Sequence, residues 1–181
     1  MRIYGNRELK TLAGEVARPT TGKVRQALFN MWQGSIRDCR WLDLCAGNGS
    51  IGAEALCRGA KEVVGIEQLG EACVLIRENW QKIAQSGQIF EVLRGDVLYH
   101  LSGLQDKGFD HIYFDPPYRG SLYVPVLSAI AEREILADSG EMAVEYNRKL
   151  WTPVEISGLT LCREKHYGHS SLAFYQVSSK H

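Results

Sequence analysis

Asp115-Pro116-Pro117-Tyr118 is the most specific chemical signal in this sequence. An exocyclic amine on a purine or cytosine is a poor nucleophile, because its lone pair is delocalised into the ring. To attack an electrophile, the nitrogen must become tetrahedral. Two hydrogen-bond acceptors aimed at its N–H groups favour that change and stabilise the positive charge that develops. The Asp115 carboxylate and the Pro116 backbone carbonyl can supply them. Paired prolines have fixed φ, which holds both acceptors in place. Tyr118 can stack on a base, an interaction worth ~1–3 kcal/mol, and Pro117 is a candidate contact beside it. A base within a helix would first be flipped out. Seen alone, the tetrapeptide also reads as a turn with a surface acid. Its place at the end of a strand, after a cofactor-type motif, favours the catalytic reading.

That earlier motif is Gly47-x-Gly49-x-x-Gly52, between a predicted strand and a predicted helix, with Glu67 at the end of the next strand. Glycines permit a tight turn and close backbone approach to a ligand, and a carboxylate at the second strand end can accept both hydroxyls of a ribose. The pattern fits a nucleoside-containing cofactor without choosing between NAD and S-adenosylmethionine. Three features favour the methyl donor. Asp43 precedes the glycines, in Leu42-Asp43-Leu44-Cys45-Ala46-Gly47, where a carboxylate can reach a cationic ammonium. Dinucleotide sites instead want helix-terminus donors for pyrophosphate. Asp96, followed by Val97, ends a third strand, where an acid can accept from an adenine amino group. Finally, the chain is short for a dehydrogenase with a second nucleotide-binding half. The candidate cofactor contacts are therefore Asp43, Ala46, Gly47, Gly49, Gly52, Glu67, Asp96, Val97 and Asp115.

The elements that must position these residues alternate along the chain. Predicted strands cover 40–45, 62–67, 89–94, 109–114 and 140–146, with helices at about 50–58, 70–85 and 122–136 between them. Two further strands, 159–166 and 171–177, meet at the turn Tyr167-Gly168-His169-Ser170. Alternating strands and helices mean a mostly parallel α/β sheet, and the closing hairpin adds antiparallel strands at one edge. Ligands in such sheets sit beyond the carboxyl ends of the strands, where the motifs fall. Residues 1–20 read as an extended or hairpin extension, and 21–181 as the main domain. A helix begins near Thr21, with Thr20 or Thr21 as its cap.

Composition sets the outer bounds. The chain has 181 residues, which suits one core. No stretch approaches the ~20 apolar residues of a membrane helix, and the N-terminus lacks a signal-peptide pattern, so the expected location is the cytoplasm. Five cysteines, an odd number without a CxxC pair, argue against a disulfide framework or a zinc site. His166 and His169 lack companions for a metal site. Trp32, Trp41, Trp80 and Trp151 read as packing residues, Asp138 and Glu141 as loop acids. Net charge is zero, yet residues 1–30 hold six basic and two acidic residues. A basic segment on an acidic body is a modest pointer to a polyanionic partner.

Over nearly its whole length the chain resembles the RsmD-type 16S ribosomal RNA guanine-N2 methyltransferases. The likeness rests on Arg18-Pro19-Thr20 and Val24-Arg25-x-Ala27-Leu28-Phe29-Asn30; on the run from Leu42 to Gly49 with Gly52, Glu54-Ala55-Leu56 and Arg58-Gly59-Ala60; and on Asp115 to Tyr118 and Glu145. The resemblance implies a Rossmann-like class I methyltransferase fold, S-adenosylmethionine as donor and a guanine of small-subunit (16S) rRNA as acceptor. Beside it stand the expectations of no metal, of rRNA met within a small-subunit particle rather than naked, and of a monomer, since nothing in the sequence demands more. It also implies that Arg18, Thr20 and Arg25 lie near the donor's methionine end or the RNA. The rival readings are a DNA adenine-N6 or cytosine-N4 methyltransferase, a non-catalytic RNA-binding subunit and an NAD-binding oxidoreductase.

Overall fold

A computed structural model describes residues 1–13, 21–117 and 121–179. Arg18, Thr20 and Tyr118 lie outside the described residues. The chain opens with a small antiparallel hairpin, β1 (Arg2–Ile3) and β2 (Arg7–Glu8), joined by one tight turn. Helix α1 (Gly22–Met31) follows, and the cap is Thr21, whose side chain accepts from the Val24 N–H at 3.3 Å. This satisfies one of the donors that every helix start leaves without an internal partner.

The rest is a doubly wound sheet. Its strands are β3 (Arg40–Leu44), β4 (Glu62–Glu67), β5 (Ile89–Arg94), β6 (Phe109–Phe114), β7 (Leu136–Tyr146), β8 (Leu159–Tyr167) and β9 (Ser170–Val177), in the spatial order β5-β4-β3-β6-β7-β9-β8. The first five are parallel, and β9 pairs antiparallel with both β7 and β8. Strands β3 and β6 are buried over nearly their full length, as expected where helices cover both faces. Helices α1, α2 (Ser50–Cys57) and α3 (Gly70–Ile83) pack on one face, around Phe29, Trp41, Ile76 and Trp80. Helices α4 (Val97–Ser102) and α5 (Tyr123–Glu132) cover the other, around Leu42, Leu101, Phe114 and Leu127. From β3 the chain winds outward to β5, then crosses back to β6 on the other side of β3. The crevice between the carboxyl ends of β3 and β6 is the switch point where α/β sheets bind ligands.

Four details depart from the sequence reading. The last parallel strand begins at Leu136 rather than 140, with a shift in register against β6 between Phe109 and His111. The helix before it stops at Glu132, and Glu134 takes a left-handed φ of 50° that turns the chain into the sheet. Asp138 and Glu141 therefore belong to β7. Glu141 is no loop acid: it accepts from Trp32 Nε1 at 2.8 Å, Arg163 at 2.7 Å and Gln176 at 2.9 Å. The short helix α4 is an addition to the predicted elements. Among the described residues, no helix is long and apolar enough to cross a membrane.

Candidate active site

The Gly-rich turn begins where β3 ends. Cys45, Gly47 and Gly49 all take left-handed φ, at 56°, 59° and 73°. A left-handed Cys45 is costly for a residue with a Cβ, so its neighbours must hold it. The Ala46 N–H donates to the Ile66 carbonyl at 2.8 Å, and the Gly47 N–H to Glu67 Oε2 at 2.7 Å. Glu67 Oε1 in turn accepts from the Leu69 N–H at 2.9 Å. One carboxylate thus ties the loop after β3 to the start of the helix after β4.

Asp43 lies beneath this loop. It is 1% exposed, and Oδ2 accepts from the Gly52 N–H at 3.2 Å. Burial pushes its carboxyl well above the usual carboxylate range; the Gly52 N–H opposes the shift, and the charge of Glu67 adds to it. Cys45 is pushed up to about 12, first by burial and then by Glu67, Asp115, Asp43 and Asp96. Its thiol is therefore no nucleophile at neutral pH. At the end of β5, Asp96 caps α4, accepting from the Tyr99 N–H at 2.9 Å.

These residues surround one cavity of about 390 Å³ at the switch point, within the size range of small-molecule sites. Its walls include Asp43, Ala46, Gly47, Glu67, Asp96, Val97, Asp115, Pro116 and Pro117. Among wall residues the sequence reading did not single out are Gln68, Leu69, Tyr113 and Leu122. Strand periodicity signals Tyr113 only as buried, and nothing in the sequence marks it as facing a site.

The structure separates three proposed contacts from this cavity. Gly49 and Gly52 sit behind the loop and do not line the cavity. A Cβ on Gly52 would lie 2.3 Å from Trp80 Cζ2, and one on Gly49 2.8 Å from Ile76 Cγ1. Trp80 Nε1 donates to the Gly49 carbonyl at 2.8 Å. These glycines make room for a tryptophan that supports the loop from below. Arg25, expected near the donor or the RNA, does not line this cavity; it pairs with Glu54 at 2.8 Å in a nearly buried contact and donates to the Arg2 carbonyl at 3.0 Å. Glu54 also accepts from Arg58 at 2.9 Å. Arg25 therefore fastens the N-terminal hairpin to α2.

A second, smaller recess of about 20 Å³ adjoins the first and shares Asp115 and Pro116 with it. It is completed by Glu145 and Tyr146 of β7, Tyr123 of α5, Asn147 and Leu150, by His169 of the β8–β9 turn and by Ser170 at the start of β9. The Tyr123 hydroxyl donates to the Glu145 carbonyl at 3.0 Å, and its ring stacks on Trp151 at 4.1 Å. A larger hollow of about 470 Å³ lies at the opposite, amino-terminal end of the strands, lined by Ser35, Asp38, Asp110 and Glu141 among others. It holds neither the Gly-rich turn nor the Asp-Pro-Pro segment, so position and chemistry outweigh volume in choosing the site.

A family profile described as "Conserved hypothetical protein 95" matches residues 1–176. Ribosomal RNA small subunit methyltransferase D of Haemophilus influenzae is 32% identical over 177 residues, covering 96% of this chain and 90% of its own. The chain belongs to the RsmD family. Among solved structures, Escherichia coli yhhF superposes on this RsmD-family chain with a TM-score of 0.85 at 27% identity over 99% of both chains. SMU.776, solved in complex with SAH, shares the fold at a TM-score of 0.63 and 15% identity, over 86% of this chain and 48% of its own. The expected fold is thus the observed one, a Rossmann-like sheet of the S-adenosylmethionine-dependent methyltransferase kind.

Proposed function

We propose that this protein transfers a methyl group from S-adenosylmethionine to the exocyclic N2 amino group of a guanine in small-subunit (16S) ribosomal RNA. The observation that carries this reading is the Asp115-Pro116 wall shared by two adjoining cavities at the switch point. One cavity has the size of a cofactor site, and the other admits only the edge of a second molecule. An acceptor pair between them is where an amine must meet a methyl donor. Family membership and the name of the Haemophilus relative support rRNA as the substrate class.

The residues present fit the donor. Gly47 lines the cavity, and a Cβ built on it meets open space rather than protein, so its bare backbone leaves room for a ligand. Acids stand around the same cavity: Asp43 and the Gly47 loop would hold the methionine end, Glu67 the ribose hydroxyls and Asp96 the adenine amino group. When bound, the donor supplies a methyl group on a positively charged sulfur, which keeps the electron pair of the broken bond. Asp115 accepts one N–H of the guanine amine and the Pro116 carbonyl accepts the other, turning the lone pair toward the methyl group. Asp115 then takes the proton that the nitrogen must lose. Tyr118 and Pro117 would contact the base.

The test is transfer of labelled methyl from S-adenosylmethionine to small ribosomal subunits lacking the modification, with naked rRNA and DNA in parallel and nucleosides identified by mass spectrometry. Label in N2-methylguanosine is expected. Asp115→Ala should lower turnover at least ~100-fold, the scale of losing one preorganised partner, while donor binding changes little. Label in DNA adenine or cytosine alone would overturn the rRNA assignment, and equal losses of turnover and donor binding would overturn the role of Asp115.

A further inference from the structure

Glu145 is a carboxylate placed where a base edge must come to rest. It is 7% exposed, on β7, and lines the small recess whose other wall is Asp115 and Pro116. Its neighbour on β6, Tyr113, is 2% exposed and lines the larger cavity. The Tyr113 hydroxyl donates to Glu145 Oε2. The two are diagonal partners: Tyr113 pairs with Ala143, two residues before Glu145 on the same face of β7. The hydrogen bond therefore links the proposed donor cavity to the proposed acceptor recess.

The position of Glu145 is fixed from several sides. Oε2 accepts from Tyr113, and the Glu145 carbonyl accepts from Tyr123. In the sheet Glu145 pairs with Leu172 of β9. An ionised carboxylate accepts hydrogen bonds at about four lone-pair sites and donates none, so it can hold more than one donor at once. A recess of about 20 Å³ is too small for a ring and takes only the polar edge of one.

An acceptor in that place discriminates among the bases that carry an exocyclic amine. Guanine presents its N2 amine beside N1–H, so two adjacent positions both donate. Adenine presents its N6 amine beside N1, and cytosine its N4 amine beside N3; in each, the neighbouring ring nitrogen accepts. With the amine held by Asp115 and Pro116, a carboxylate beside them rewards a neighbouring donor and repels a neighbouring acceptor. A site built to pair with one polar group rejects an analogue lacking it far more strongly than an apolar pocket does.

We propose that Glu145 is the specificity-determining residue of the acceptor recess, accepting N1–H of the target guanine and so excluding adenine and cytosine. This rests on the methyl-transfer reading above and names how its acceptor is chosen. The substituted base that tests the contact is 2-aminopurine, which keeps the 2-amino group but has an accepting N1 and no 6-oxo group, so the change of ratio in Glu145→Gln is what separates the N1 contact from the loss at position 6. Small-subunit particles are assembled with guanine or 2-aminopurine at the position found to be methylated, and kcat/KM is measured for each. The wild-type protein should prefer guanine by ~100-fold or more. Glu145→Gln should reduce that preference to ~10-fold or less, because an amide can donate to the accepting N1, while S-adenosylmethionine affinity stays within about twofold. A residue that only supported the fold would lower both activities together and leave their ratio alone.

The wild-type ratio is informative without any variant: equal use of the two bases overturns the proposal. So does an unchanged ratio in Glu145→Gln. In both cases label in N2-methylguanosine would leave the methyl-transfer reading standing. Label appearing only at adenine-N6 or cytosine-N4 would overturn both.

Discussion

Asp43 sits where a carboxyl group does not ionise readily, yet the proposed role asks it to meet a cation. Its usual pKa is about 3.9, and burial raises it well above that in the folded protein. The folded state therefore holds a proton on Asp43 over a pH range in which the unfolded chain has lost it. The stability from this neutral, buried acid is fully present below the unfolded pKa and is lost as pH rises through the folded one. Asp43→Asn removes the ionisable group and keeps an oxygen for the Gly52 N–H. The variant should gain thermal stability over the wild type as pH rises above the ordinary carboxylate range, a difference read from melting curves at increasing pH. The donor carries an ammonium and a sulfonium, so it should favour the ionised acid and bind more tightly as pH rises. Below the raised pKa the gain should reach ~tenfold per pH unit, and Asp43→Asn should flatten it. A wild-type affinity that shows no rise with pH anywhere above the ordinary carboxylate range, measured by calorimetry, would remove Asp43 from the donor site.

At the scale of elements, the Gly-rich turn works because α3 supports it. Trp80 is fully buried and lies against Gly52 of α2, Gly49 of the turn and Gly65 of β4, each of which leaves space for its ring. Gly52→Ala would place a Cβ 2.3 Å from that ring. Overpacking of this kind costs ~1–3 kcal/mol, and at about 2–4 °C per kcal/mol the melting temperature should fall by roughly 2–12 °C. Trp80→Phe in the same chain should recover part of the loss, so the double variant should be more stable than the sum of the singles; strict additivity would mean that Trp80 is not what Gly52 accommodates. This is also where the sequence was least legible. Strand and helix periodicity locates β3, β4, β5 and β6 and the loops after them, because buried parallel strands and amphipathic helices leave local patterns. Asp43, Glu67, Asp96 and Asp115 reach one cavity for that reason: each stands at or just beyond a strand end. The spacing of Gly49 and Gly52 suggests ligand contact, whereas a tryptophan some 30 residues on explains them. The Arg25–Glu54 and Tyr113–Glu145 pairs join residues far apart in the chain, and no local pattern announces them. The early start of β7 is hidden because Asp138 reads as a loop acid between the predicted helix and strand.

For the whole molecule, the question is how a protein of zero net charge would hold a polyanion. Residues 1–30 carry four more basic than acidic residues, and the remainder balances them. Part of that excess is already engaged: Arg25 pairs with Glu54 in a nearly buried contact, and Lys10 pairs with Glu78 at 2.9 Å on the surface. The buried pair is the more firmly held, since exposed pairs contribute little and yield readily to a competing anion. No more than about four phosphates should therefore be neutralised through this segment. Each contact to single-stranded nucleic acid contributes a slope of about −0.7 in log affinity against log salt, so the total should be no steeper than about −3. Raising salt from about 50 to 200 mM should then weaken naked 16S rRNA binding by no more than about 50-fold. Fluorescence anisotropy with donor-saturated protein across that range measures the slope directly. A slope steeper than about −5 would mean that a basic surface elsewhere on the molecule does the docking. A shallow slope would shift the burden of recognition to shape and to the base itself, and a preformed particle surface supplies shape better than a flexible naked strand. Affinity for small-subunit particles should then exceed that for naked rRNA at the same salt, and the gap should widen little as salt is raised.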